Sequence, residues 1–215
     1  MALSRLNYNS LNVTPTASKG IGFDSGADDL AATFSGGSMR FISKFTSDGS
    51  DATADFTSGI DSTYKEYLFI FNNIHGASND GYFLFQADTG TNTSYNQTIT
   101  STNFKTTHDE ADTETALSYR TADDLAQSTS FQRLSSPIGT ENYECMSGYL
   151  QVFNPSSSVF VKHFIARTST LDMSDVNQHV FVAGYFNTTT ALTRFQFKSS
   201  TGDIQAGTIS LYGIN

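Results

Sequence analysis

From Met39 onward the chain alternates short runs of aromatic and β-branched residues with clusters of turn-forming residues. Runs of this length and composition are typical of β-strands. The run at residues 39–46 places its side chains alternately on two faces, and the Asp48-Gly49 pair that follows favours a turn because it readily adopts positive φ. Further runs occupy residues 54–57, 66–74, 82–87, 95–105, 148–153, 159–167, 180–186, 192–198 and 208–214.

About nine short strands without intervening amphipathic helices predict an all-β domain, an antiparallel β-sandwich. Among sandwich topologies we favour a jelly roll, so that residues 39–215 form a jelly-roll-like domain. The one stretch that the pattern leaves open between helix and loop is 108–130, which is rich in Asp and Glu.

The run at residues 66–74 contains five consecutive apolar residues, from Tyr67 to Phe71. Side chains alternate across a sheet, so such a strand is apolar on both faces. One face then meets the sandwich core. We expect Leu68 and Ile70, on the other face, to be covered by the N-terminal segment or by a second subunit.

Residues 1–38 differ from the rest, because they are rich in Asn, Ser, Thr, Gly and Asp and poor in aromatic residues. This composition fits either a flexible tail or an irregular arm that lies on its own domain or on a partner. We expect the arm, with a role in attachment or oligomer contact. Its candidate anchors are its few sizeable apolar residues, Leu11, Val13, Ile21, Phe23, Leu30 and Phe34.

Composition and charge exclude several classes of protein. The 28 Phe and Tyr residues argue against disorder, although Ser, Thr, Asn and Gly make up 86 of the 215 residues. The net charge of −9 and the scattered Lys and Arg residues argue against nucleic-acid binding. No apolar stretch approaches a membrane helix, and the first residues lack the apolar core of a signal peptide. We therefore expect no membrane insertion. The single cysteine, Cys145, allows no disulfide within the chain, so we expect synthesis in a reducing cytoplasm.

No catalytic constellation stands out. The candidate bases His75, His108, His163 and His179 have no recognisable partners, and no Gly-x-Ser-x-Gly motif is present. Cys145 follows Glu144, whose charge has the wrong sign to activate a thiol. A buried or half-buried thiol is therefore the simpler interpretation.

Two acidic clusters could supply oxygen ligands to Ca²⁺ or Mg²⁺, one at 109–114 and one formed by Asp48, Asp51 and Asp55. Neither has the spacing of a calcium-binding loop, and solvated acidic loops are the simpler interpretation. We expect no catalytic residue, metal site or cofactor.

Four segments resemble a family of virion proteins of marine tailed phages, cyanophages among them. They are residues 56–64 (FTSGIDSTY) leading into 67–71 (YLFIF), 148–157, 182–197, and the C-terminal GTISLYGI at 207–214. The resemblance covers about residues 39–215 and rests on the order of these segments together with the Leu-Tyr-Gly-Ile ending.

The family implies a non-enzymatic structural protein on the exterior of a bacteriophage particle, assembled in the host cytoplasm. Head decoration or cementing is the leading hypothesis. A tail-fibre or receptor-binding adhesin that recognises a host glycan or protein is the alternative, and a glycan-degrading enzyme is the third. The partners would be other capsid or tail proteins, and we expect a homo-oligomer, with a trimer favoured.

Overall fold

A computed structural model describes residues 19–23, 30–35 and 38–214. The chain divides into two compact units, residues 1–40 and 41–215. In the first, β1 (Lys19–Phe23) pairs with β2 (Leu30–Ser35) in an antiparallel two-stranded sheet. The sequence predicts an irregular arm here, and the structure adds this hairpin to it. Among the candidate anchors, Leu11 and Val13 lie outside the described residues, as do the side chains of Ile21, Phe23, Leu30 and Phe34.

All regular structure in the remaining described residues is also β. The strands are β3 (Met39–Thr46), β4 (Ala54–Phe56), β5 (Glu66–Gly76), β6 (Phe83–Thr89), β7 (Ile99–Asp109), β8 (Thr115–Tyr119), β9 (Gln132–Arg133), β10 (Met146–Phe153), β11 (Lys162–Leu171), β12 (Val176–Phe186), β13 (Leu192–Ser199) and β14 (Ile204–Ile214).

These strands form an eight-stranded sheet in the order β3-β14-β5-β10-β11-β12-β7-β8 and a four-stranded sheet in the order β4-β13-β6-β9. If β7, β8, β11 and β12 are set aside, the first and last remaining strands are neighbours in one sheet, and the second and second-to-last are neighbours in the other. This alternation is the strand order of a jelly roll. The predicted jelly-roll sandwich is confirmed, and four additional strands extend one of its sheets.

Phenylalanine is the commonest residue of the core between the sheets. Tyr67, Phe69 and Phe71 of β5 point into it and are at most 1% exposed. Phe197 of β13 lies at its centre, with ring centroids of five other phenylalanines between 5.1 and 6.3 Å away. The residues at most 1% exposed in this core also include Phe164, Phe195, Ile209 and Leu211.

The stretch that the sequence leaves between helix and loop is neither a helix nor wholly a loop. β7 continues to Asp109, a turn follows, and β8 returns along it. The carboxylate of Asp109 holds the turn by accepting hydrogen bonds from the backbone N–H groups of Thr113 and Glu114, both at 2.8 Å, and from the Thr113 hydroxyl.

Residues 120–138, which we call the strap, pack on the inner face of the extended sheet and are attached to it by hydrogen bonds between buried polar groups. Gln132 is fully buried, accepts a hydrogen bond from the Ser101 hydroxyl and donates to the carbonyls of Asp123 and Arg133. The hydroxyl of Thr168 donates to the Leu134 carbonyl. Polar residues can fill this layer because nearly every one of them finds a partner in the strap or the sheet.

Candidate interaction surface

The outward face of the eight-stranded sheet carries the most distinctive surface in the described part of the chain. Strand register aligns its side chains in rows that run across the sheet. The middle row consists of Ile70, Tyr149, Arg167, Phe181, Phe104 and Tyr119. The rows on either side of it consist of Tyr212, Leu68, Gln151, Ile165, Ala183 and Thr102, and of Ser147, Ser169, His179, Thr106 and Leu117. We call these three rows the outer face.

Aromatic contacts order the middle row. The rings of Phe104 and Phe181 are stacked, with centroids 4.7 Å apart and planes 5° from parallel. The Arg167 guanidinium lies over the Phe181 ring at 4.8 Å, within the range of a cation–π interaction. Packing of this kind fixes long side chains in place and lowers the entropy they would lose on binding a partner.

Large apolar side chains on the outer face remain in contact with solvent. Phe104 is 39% exposed, Ile165 43% and Leu117 72%. Leu68, Ile70 and Tyr149 are half-buried beside them. Aromatic residues and arginine are enriched in the cores of protein–protein interfaces, and a contiguous apolar patch on a folded domain marks an interaction site.

Charge distinguishes the outer face from the rest of the chain. Its three rows contain no carboxylate, although the chain carries 21 Asp and Glu residues and a net charge of −9. Carboxylates lie at its margin, where Glu66 accepts a hydrogen bond from Gln151 and Asp124 accepts one from Tyr119. Burial, and to a smaller extent the nearby Arg167, lower the pKa of His179, so this imidazole is neutral at pH 7. The guanidinium of Arg167 is then the one charge in the three rows.

Two shallow depressions interrupt the outer face. One, of about 420 Å³, lies over β5 and β10 beside Leu68, Ile70 and Tyr149. The other, of about 490 Å³, is lined by Phe153, His163, Ile165 and Tyr185. Both are open, so they suit side chains or rings of a partner better than an enclosed small molecule.

Leu68 and Ile70, the sandwich residues predicted to need a cover, both lie on the outer face. The sequence did not identify Tyr149, Arg167, Phe181, Phe104 or Leu117 as their neighbours. Their alternation along β10, β11 and β12 is visible in the sequence. Grouping them, however, requires the strand order, which no local pattern encodes.

No hydrogen bond joins a histidine ring to a Ser, Thr or Cys side chain among the described residues. The nearest approach is a depression lined by His75, Asn142 and Cys145. There His75 Nε2 lies 3.0 Å from the Glu141 carbonyl oxygen, and burial raises the pKa of the Cys145 thiol. A thiol with a raised pKa stays protonated and is a poor nucleophile. The structure places His163 on an exposed strand position, and it places His108 Nε2 3.3 Å from a carboxylate oxygen of Asp112.

In both acidic clusters, carboxylates accept hydrogen bonds that hold turns of the chain. Hydrogen bonds from Thr113 and the backbone lower the pKa of Asp109 to about 2. Asp48 accepts hydrogen bonds from Ser50, and Asp51 accepts one from the Asp48 N–H. No group of three or more His, Cys, Asp or Glu side chains in the described residues is arranged to hold a metal ion.

Comparison of the chain with protein-family models, curated proteins and solved structures found no match in any of the three. Within the part of the chain that the structure describes, no helix is long and apolar enough to cross a membrane.

Proposed function

We propose that this chain is a non-enzymatic structural protein of a tailed-bacteriophage virion, displayed on the particle exterior, with head decoration or cementing as its role. The observation that carries the proposal is the outer face, a broad sheet surface with exposed aromatic and aliphatic side chains and no carboxylate. A surface of this kind is suited to bind another protein. The resemblance of residues 39–215 to phage virion proteins supplies the class of particle.

The outer face would dock on the capsid shell or on neighbouring copies of the same chain. The Ser-, Thr- and Asn-rich remainder of the molecule would then face solvent without attracting other proteins. Partners in this role are other virion proteins, and the docked chain forms a homo-oligomer.

The copy number of the chain in purified particles tests the location. A head decoration protein is present in tens to hundreds of copies, whereas a fibre tip is present in far fewer. Quantitative mass spectrometry of particles, with the major capsid protein as the internal standard, measures the ratio. A ratio of a few copies per particle would contradict decoration.

Rebinding tests the surface. Ile165→Glu and Phe104→Glu place a carboxylate on the outer face at positions that already contact solvent. We expect each variant to fold and to lose binding to particles stripped of the protein. The matched control is Thr91→Glu, in an exposed turn outside the outer face. Equal binding by all three variants would show that the outer face is not the docking surface.

A tail-fibre adhesin is the second candidate, and the depression beside Tyr185 and His163 favours it. Aromatic rings at an open depression can stack on sugars. Binding of the protein to host-surface glycans, lost in Tyr185→Ala, together with a low copy number, would support this role over decoration.

A further inference from the structure

β8 forms one edge of the eight-stranded sheet, and it differs in charge and length from the strands at the other edges of the sandwich. β3 carries Arg40 and Lys44, β4 has three residues that include Asp55, and β9 has two residues. β8 has five residues, Thr-Ala-Leu-Ser-Tyr, with no charge and no proline. Charges, proline and shortness are the usual protections against pairing of an edge strand with another chain, and β8 lacks the first two and is longer than β4 and β9.

The hydrogen-bond pattern shows which backbone groups of β8 are free. The Arg120 N–H donates to the Asn103 carbonyl at 2.8 Å, and the Asp109 N–H donates to the Glu114 carbonyl at 3.3 Å. In an antiparallel pair, hydrogen-bonded and non-hydrogen-bonded positions alternate. The even-numbered residues 114–120 therefore point their backbone groups at β7, and Thr115, Leu117 and Tyr119 point theirs away from the sheet. No described residue bonds to those outward groups.

We propose that β8 pairs antiparallel with β8 of a second copy of this chain. The two copies are related by a two-fold axis that passes between their Leu117 residues. In this register Leu117 lies opposite Leu117 of the other copy, and Thr115 lies opposite Tyr119. All outward N–H and C=O groups of the three residues then form hydrogen bonds between the copies. The two eight-stranded sheets become one continuous sheet, which adds a strand partner to each copy as in other β-augmentation complexes.

Charge complementarity selects the second copy as the occupant. The residues that flank β8 are Glu114 and Arg120, one at each end and three positions from Leu117. Antiparallel pairing centred on Leu117 places Glu114 of each copy directly opposite Arg120 of the other, twice in the dimer. Arg120 is available for this contact, because only its Nε is engaged within the described residues, with Asp123 at 3.1 Å.

The side chains support the same register. A two-fold axis perpendicular to the sheet keeps the outer faces of both copies on one side, so their apolar rows continue across the junction. Leu117, 72% exposed in the single chain, gains the other Leu117 as its cross-strand neighbour and Tyr119 as a diagonal neighbour.

A charge-swap experiment tests both the partner and the register. Glu114→Lys sets the introduced lysine against Arg120 of the other copy, and Arg120→Glu sets the introduced glutamate against Glu114, so two attractive contacts become repulsive in each variant. We expect each variant alone to dimerise about tenfold more weakly than the natural chain. Mixing the two variants pairs opposite charges at both contacts, and we expect a heterodimer of natural affinity. Sedimentation velocity of the full chain over a wide concentration range measures all three.

Leu117→Pro gives an independent test. The Leu117 N–H points away from β7, so proline removes a hydrogen bond between copies without removing one within the chain, and edge strands tolerate proline at such positions. We expect the dimer to be lost while the circular dichroism spectrum and melting temperature stay close to those of the natural chain. Leu117→Lys provides a second blocking variant should proline disturb the fold.

Three results would overturn the proposal. They are a natural chain that stays monomeric at every concentration, variants that associate as strongly as the natural chain, and a mixture of the charge variants that fails to recover affinity. Since the test needs no phage particle, its outcome is independent of the proposed virion role.

Discussion

Phe197 shows how a single residue contributes to the core. Its ring contacts phenylalanines of β5 and β6 and the one at the end of β4, and the side chain has no exposed surface. Truncation removes buried area and leaves a cavity that close-packed neighbours cannot fill. We expect Phe197→Ala to lower the free energy of unfolding by about 3–5 kcal/mol, measured by urea denaturation. The control is Phe41→Ala, at a ring that is 60% exposed, for which we expect a change of less than about 1 kcal/mol.

Asp109 provides a second test at the scale of the residue. Its pKa is lowered to about 2, chiefly by the hydrogen bond from the Thr113 side chain. A carboxyl group with a lowered pKa in the folded state stabilises that state above its unfolded pKa, and the contribution is lost as the pH falls towards 2. We expect Thr113→Val to move the pKa of Asp109 towards its ordinary value, measured by carboxyl ¹³C NMR titration. An unchanged pKa would mean that the backbone donors alone hold the turn.

At the scale of the element, the strands of the sandwich were largely predictable, because their periodicity is local. Residues 39–46 and 192–198 match β3 and β13 within one residue, and the apolar run at 66–74 matches β5 except for its last two residues. β8 was missed because Thr-Ala-Leu-Ser-Tyr is short and follows an acidic turn, so its strand character depends on pairing with β7.

The strap was also missed, since its attachment depends on partners distant in sequence. Gln132 and Ser101 are 31 residues apart and look like ordinary polar surface residues in the chain. The outer face also depends on residues that are distant in sequence. Each strand contributes one side chain per row, and only the strand order brings these side chains together.

The hydrogen bonds of the strap predict the effect of a substitution on stability, which the sequence alone does not. Gln132→Ala leaves the buried Ser101 hydroxyl without an acceptor for its proton, and it removes the shorter of the two side-chain hydrogen bonds to the Asp123 carbonyl. A buried polar group that loses its partner in this way costs about 1–3 kcal/mol. We expect a loss of unfolding free energy of that order, accompanied by faster hydrogen exchange in residues 120–138. Gln205→Ala, at an exposed position of β14, is the matched control and should be close to neutral.

At the scale of the whole molecule, we expect the jelly roll to be stable without the N-terminal residues. Within the part of the chain that the structure describes, the strands of the two sandwich sheets lie in the unit 41–215, apart from the first two residues of β3, and the buried core residues come from this unit. A domain with its own core can fold alone. We therefore expect deletion of residues 2–37 to leave a sandwich that unfolds cooperatively, with a melting temperature close to that of the full chain.

The same deletion tests what the N-terminal residues do. They are too polar to form a core of their own, and ordering each residue costs about 1–2 kcal/mol of backbone entropy, which contacts must compensate. If they attach the protein to the particle, the deleted chain should fold but fail to bind stripped virions, while the full chain binds. The measurement is occupancy per particle by quantitative mass spectrometry, with Ile165→Glu in the full chain as the comparison. Full occupancy by the deleted chain together with loss of binding by Ile165→Glu would assign attachment to the outer face alone.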